Sequence, residues 1–203
     1  MRRTKEEAAI TRQNILKAAL DLFSEKGYAT TTLAEIAQSA QVTRGAIYWH
    51  FKDKADLFNS LASEVSLRRD AVIQQAIADG GTFTQIFQRI LTQLLRDVEE
   101  HPEVQAVMKL SLFKSTGLPE LEESQTLRLE ANRTMINNMA AFLQQGITSG
   151  AVRPDIDPYD AARTALALHQ GLAMLWLYDP AAFSLAERAA ALADLYIRGI
   201  AAD

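Results

Sequence analysis

Apolar residues in this chain recur at helical spacing. Between Thr11 and Phe23, the residues Ile15, Ala19, Leu22 and Phe23 stand at i, i+4, i+7 and i+8, and the segment stops at Gly27. Thr32-Leu-Ala-Glu35 follows, a capping box whose hydroxyl and carboxylate satisfy the open amides of a helix start. Leu33, Ile36, Ala37 and Ala40 form the stripe behind it. Thr43 reads as the N-cap of a third, short helix with Ala46, Ile47 and Phe51 on its apolar side. Asp53 caps a fourth, with Asp56 at N3, that runs through Leu57, Phe58, Leu61 and Val65 towards Ile77. Beyond the break at Gly80-Gly81, helices are predicted at about 82–100, 103–115, 120–148, 158–178 and 184–200. Pro158 takes N1 after Asp157, and Ser184-Leu-Ala-Glu187 reads as a second capping box. No alternating pattern of useful length and no repeat appears, so the pattern specifies an all-α chain of about nine helices.

With no cysteine, the chain has no disulfide framework, thiolate metal site or cysteine nucleophile, which suits a cytoplasmic location. The basic start "MRRTKEEAAITRQ" lacks the apolar run of a signal peptide, and no 18-residue apolar stretch predicts a membrane span. Net charge is −4, but it is unevenly placed. Residues 1–55 carry nine Lys/Arg against six Asp/Glu, a balance of +3, and the remainder carries 12 against 19, a balance of −7. A basic head on an acidic body is the asymmetry a small DNA-binding head produces, although charge alone does not decide it.

The stretch "TRGAIYWHF", Thr43 to Phe51, concentrates polar and aromatic groups in an otherwise aliphatic chain. With the helix before it and a turn near Gln41-Val42, it has the size of a helix-turn-helix, whose second helix enters the DNA major groove. Thr43 and Arg44 at the helix start would meet phosphates or base edges, and Gly45 would let the backbone approach closely. Tyr48, Trp49 and His50 would follow as donors to phosphate oxygens. Thr32 and Lys54, at neighbouring helix starts, would add contacts. Core packing is the competing account of Tyr48 and Trp49, and the preferred one for Phe51. Catalysis finds no support: nothing in the spacing of nucleophiles around His50 suggests it, and no G-x-S-x-G, HExxH or Gly-rich phosphate loop occurs.

The run Thr11 to Phe58, "TRQNILKAALDLFSEKGYATTTLAEIAQSAQVTRGAIYWHFKDKADLF", resembles the N-terminal DNA-binding domain of the TetR family of bacterial transcriptional repressors. Together, "RRTKEEA" and "VTRGAIYWHF" look like the AcrR-like branch, which represses multidrug efflux pump genes. The resemblance implies a three-helix helix-turn-helix domain over residues 1–56 and a helical ligand-binding and dimerisation domain over 57–203. It implies a homodimer on a palindromic double-stranded operator, released by a small-molecule inducer. Carried over residue by residue, the family's phosphate contacts fall on Thr32, Thr43, Tyr48, Trp49, His50 and Lys54, and its base-edge contacts on Arg44 and Gly45. The family usually has glycine in the turn where this chain has Gln41; if φ is positive there, glutamine carries a strain of about 1 kcal/mol.

The second domain has no motif of like specificity. Met and Phe line adaptable apolar pockets, and the candidates for a ligand site are Phe87, Leu91, Met108, Phe113, Met135, Met139, Phe142 and His169. A plain bundle core is the competing account of each, and His169 leans to core or interface. Helices 158–178 and 184–200 are dense in Ala and Leu, and the resemblance implies that they pair with their copies in the dimer. Asp155, Asp157 and Asp160 are better explained by capping than by a cation, and His101 is expected at the surface. No cofactor, metal or enzymatic activity is expected. The competing functions are a related regulator sensing an acyl-CoA or signalling lipid, a helical module without DNA, and an enzyme using His50 or His169.

Overall fold

A computed structural model describes residues 5–111 and 121–202. Among them are nine α-helices: α1 Lys5–Lys26, α2 Leu33–Ser39, α3 Arg44–His50, α4 Lys54–Ala78, α5 Phe83–Glu100, α6 Pro102–Lys109, α7 Glu122–Thr148, α8 Pro158–Tyr178 and α9 Leu185–Ile200. No strand occurs among the described residues beyond one isolated antiparallel bridge, Val152 to Ala201. The helix expected to reach residue 115 is α-helical to Lys109, and Phe113 lies outside the described residues.

Local chemistry sets the boundaries. The Thr32–Glu35 box is complete: Thr32 Oγ1 accepts from the Glu35 amide at 3.2 Å, and Glu35 Oε2 accepts from the Thr32 amide at 2.8 Å. Asp53 Oδ1 accepts from the Asp56 amide at 2.8 Å, and Asp56 Oδ2 accepts from the Lys52 amide at 2.9 Å. Asp157 caps α8 through the amides of Tyr159 and Asp160. At α9 the expected box is altered: Ser184 Oγ takes the Glu187 amide at 3.1 Å, while the carboxylate comes from Glu99 of α5, which accepts from the Ala186 amide at 2.7 Å. A box not read from sequence, Thr82 with Gln85, opens α5.

The chain packs as two compact units, Met1–Leu67 with Glu103–Gln125, and Arg68–Pro102 with Thr126–Asp203. In the first, Ile15, Leu16, Ala19, Phe23, Tyr28, Ile36, Ile47, Phe51, Leu57, Phe58 and Leu61 close one core. The rings of Phe23, Tyr28 and Phe58 meet at centroid distances of 5.3–6.4 Å. Burying each such side chain contributes about 1.5–3 kcal/mol, enough to fix how the short helices α2 and α3 are held. The second unit is centred on Phe87, Leu91, Ala140, Leu143, Ala162, Ala165, Ala193 and Ile197.

Candidate nucleic-acid interface

Only one residue of α3, Ile47, is fully buried, and it anchors the helix in the head core. Phe51, its C-cap, is buried as expected. Thr43 accepts from the Ala46 amide at 3.2 Å and so caps the helix. The opposite face is bare. Arg44, Gly45, Tyr48 and Trp49 are all exposed, Tyr48 by 49% and Trp49 by 72%. Core packing therefore does not account for either aromatic.

Arg44 lies against Tyr48 one turn on, its Nη2 donating to the phenol oxygen at 3.2 Å and its guanidinium 5.7 Å from the ring centroid. The pair holds a cation and a hydroxyl side by side on the open face. Trp49 meets the half-buried His50 edge to face at 4.5 Å. A methyl group added at Gly45 would meet only the Thr43 hydroxyl, at 3.9 Å, so nothing within the protein requires glycine there.

Thr32 and Lys54 are differently placed. Thr32 commits its amide and its hydroxyl to Glu35, each at 2.8 Å. Lys54 turns inward to backbone carbonyls of the α1–α2 loop. Gln41 has φ +55°, so the turn does demand the left-handed region. Sequence reasoning missed Arg12, whose guanidinium lies 5.2 Å over the Phe51 ring and bonds Glu64 at 3.2 Å, joining α1 to α4.

Two family profiles match the chain: "Bacterial regulatory proteins, tetR family" over residues 15–61, and "MAATS-type transcriptional repressor, C-terminal region" over residues 83–201. The chain belongs to the TetR family. It is 33% identical to the HTH-type transcriptional regulator AcrR of Shigella flexneri over 202 residues, covering 97% of this chain and 94% of that one. NalD, the secondary repressor of the MexAB-OprM multidrug efflux pump in Pseudomonas aeruginosa, superposes with a TM-score of 0.84 at 29% identity, covering 98% of this chain and all of that one. SmeT of Stenotrophomonas maltophilia, in complex with triclosan, superposes at 0.77 with 26% identity, covering 96% and 93%. TetR-family proteins are transcriptional regulators, and this chain is one.

In the second unit of this TetR-family chain, the expected ligand residues are only partly brought together. Phe87, Leu91, Met139 and Phe142 join one apolar cluster, where Phe83 and Phe142 stack at 4.7 Å and Phe87 meets Tyr196 at 5.7 Å. Gly146 permits that stack, because a Cβ there would come within 2.7 Å of the Phe83 ring. Met135 is half-buried on α7, and Met108 belongs to the first unit. The half-buried His169 places Nε2 3.3 Å from the Leu94 carbonyl of α5. Loss of hydration lowers its pKa, with Arg69 lowering it further against the opposing pull of the Leu94 bond, so the ring is neutral near pH 7.

His101 was expected at the surface. It is instead half-buried in a polar cluster with Asp97 and Arg68. No helix among the described residues is long and apolar enough to cross a membrane.

Proposed function

We propose that this chain is a ligand-responsive repressor of a multidrug efflux operon, acting in the cytoplasm as a homodimer on an inverted-repeat operator. The observation that carries the reading is the open face of α3, where Arg44, Tyr48 and Trp49 are presented without internal need. On this reading Arg44 reads base edges, Gly45 admits the backbone to the groove, and Thr43, Tyr48, Trp49 and His50 engage phosphates. Thr32 and Lys54 take secondary places, since their donors already serve the head itself.

Dimerisation by α8 and α9 is supported by a bare apolar surface that a lone chain does not explain. Leu175, Tyr178 and Leu195 are exposed by 59%, 68% and 70%. Gly171, inside α8, and Gly199, in the last turn of α9, have open space where a Cβ would stand, although glycine inside a helix costs about 1 kcal/mol. Close approach of partner helices would use both features.

The inducer on this reading is an apolar or cationic small molecule held among the Met and Phe residues near Phe87 and Phe142, with triclosan bound to SmeT as a chemical precedent. Since α4 runs through Leu67 and Arg68, where one compact unit gives way to the other, a ligand favouring one setting of α4 would alter head register. Such coupling is typically about 1–3 kcal/mol, and it requires different affinity for the two states.

The test is selection of duplexes from a random library by the purified protein, then titration of the selected duplex across salt with and without triclosan. Enrichment of an inverted repeat with a steep salt slope supports the reading. No preference over random DNA would reject operator binding. Unchanged affinity across a panel of efflux substrates would reject drug induction.

A further inference from the structure

Lys54 opens α4 immediately after the α3 segment, and its ammonium is enclosed by the loop between α1 and α2. Nζ donates to the carbonyls of Tyr28 at 3.0 Å, Thr31 at 3.1 Å and Ala29 at 3.5 Å. The same atom lies 4.3 Å from the centroid of the Tyr28 ring. That ring is buried against Phe23 and Phe58 in the head core. We propose that Lys54 is a positioning residue for DNA recognition, fastening the start of α4 to the loop that leads into α2, and not a phosphate contact. The proposal rests on the operator-binding reading above and deepens it.

The chemistry of the cage is specific. An ammonium has three donors on one compact centre, and here three carbonyls and an aromatic face receive it. Carbonyls at a loop have no helical or sheet partner, so a charge-assisted bond from Lys54 organises them. Thr31, within the loop, is buried and donates to the Gly27 carbonyl at 2.8 Å, so the loop backbone is defined on both sides. Directly after Thr31 comes Thr32, the N-cap of α2. Lys54 thus joins the entry of α2 to the exit of α3, and the two helices of the motif are held at both free ends. The bond closes a ring of chain from residue 28 to residue 54, which fixes the angle at which Arg44 and Tyr48 are offered.

A phosphate contact and a positioning bond make opposite predictions for Lys54→Met and Lys54→Arg. A phosphate contact is insensitive to sequence, so its loss weakens operator and random DNA alike and lowers the salt slope by about 0.9 per protomer. Arginine would restore it. A positioning bond acts through register. Lys54→Met should lower affinity for the selected inverted-repeat duplex about tenfold, leave affinity for a random duplex of equal length and the operator salt slope unchanged, and speed amide exchange at Thr31 to Ile36 in the free protein. Lys54→Arg should fail to restore operator affinity, because a planar fork cannot place three donors in so small a cage.

An equal loss on both duplexes with a shallower slope, or full rescue by arginine, overturns the proposal. So does unchanged exchange in Lys54→Met. The exchange measurement needs no DNA, so it decides the structural half even where the wild type proves to bind no operator, an outcome that would instead reject the proposed function.

Discussion

Arg68 Nε lies 2.9 Å from Oδ2 of Asp97, a residue only 4% exposed. Gln93 donates to the other oxygen at 3.0 Å, and Nδ1 of His101 stands 3.6 Å from it. Arg68 Nη2 also reaches His101 Nδ1 at 3.2 Å. α4 is therefore pinned to the last turns of α5 by a carboxylate that is expensive to leave unpaired. Arg68→Ala should lower the unfolding free energy in urea by about 2–3 kcal/mol, mostly the cost of the stranded Asp97 charge. The double variant Arg68→Met with Asp97→Leu should recover most of that loss. A single-variant loss below about 0.5 kcal/mol would mean that solvent already screens the pair.

Gln41, at φ +55°, is the single non-glycine residue with positive φ among the described residues, and it is exposed. A left-handed conformation costs an ordinary side chain about 1–2 kcal/mol, which glycine avoids at the expense of greater unfolded-chain entropy. Gln41→Gly should raise stability by roughly 0.5–1 kcal/mol, whereas Gln41→Val should lower it. Equal urea midpoints for the three proteins would show that the turn relaxes.

Glu35 has its pKa lowered from 4.5 to about 2, first by the Thr32 amide, then by Lys26 and the Thr32 hydroxyl. A depressed carboxylate pKa stabilises the fold fully above the unfolded value, and that contribution disappears as pH falls from about 4.5 through about 2. In Glu35→Gln the amide oxygen can still accept from Thr32, but the titrating charge is gone. The variant should lose less stability than the wild type between those limits in unfolding measured over a pH series. Parallel curves would remove Glu35 from the acid response.

Gly45 has no neighbour that a methyl group would strike. By helix propensity alone, Gly45→Ala should stabilise the head by about 0.5–1 kcal/mol. If the α3 backbone lies against a groove, the same methyl should weaken operator binding. Higher Tm with lower affinity is the expected combination. Unchanged affinity would place the groove surface elsewhere.

How much of this was legible from sequence depended on whether a residue's role is local. Thr32, Thr43, Asp53 and Asp157 sit where their hydroxyls and carboxylates cap the next helix, because a cap is decided within four residues. The open face of α3 followed from spacing too, since Ile47 alone carries its buried side. The inward bonds of Lys54 could not be read from sequence, because its partners lie 23 to 26 positions earlier in the chain. Glu99 as the carboxylate beside the α9 cap, and Asp97 as a buried acid, are likewise products of tertiary packing. The ligand residues were the least legible, because an apolar core and an apolar pocket use the same alphabet.

Leu195 is exposed by 70% on α9, with the exposed Leu175 and Tyr178 on α8. An arginine at 195 costs a lone chain little, since the position is already in water. If α9 pairs with a partner copy as proposed, the substitution would instead bury a charge in an apolar interface, once from each protomer, a strongly unfavourable exchange. Leu195→Arg should therefore keep its helical circular dichroism while sedimenting as a monomer at micromolar concentration. Operator affinity should fall much further than head stability, because each remaining head covers one half-site and forfeits the effective concentration supplied by its twin. A variant that still sediments as a dimer would show that α8 and α9 are not the paired surface, and the open space at Gly171 and Gly199 would then need another explanation.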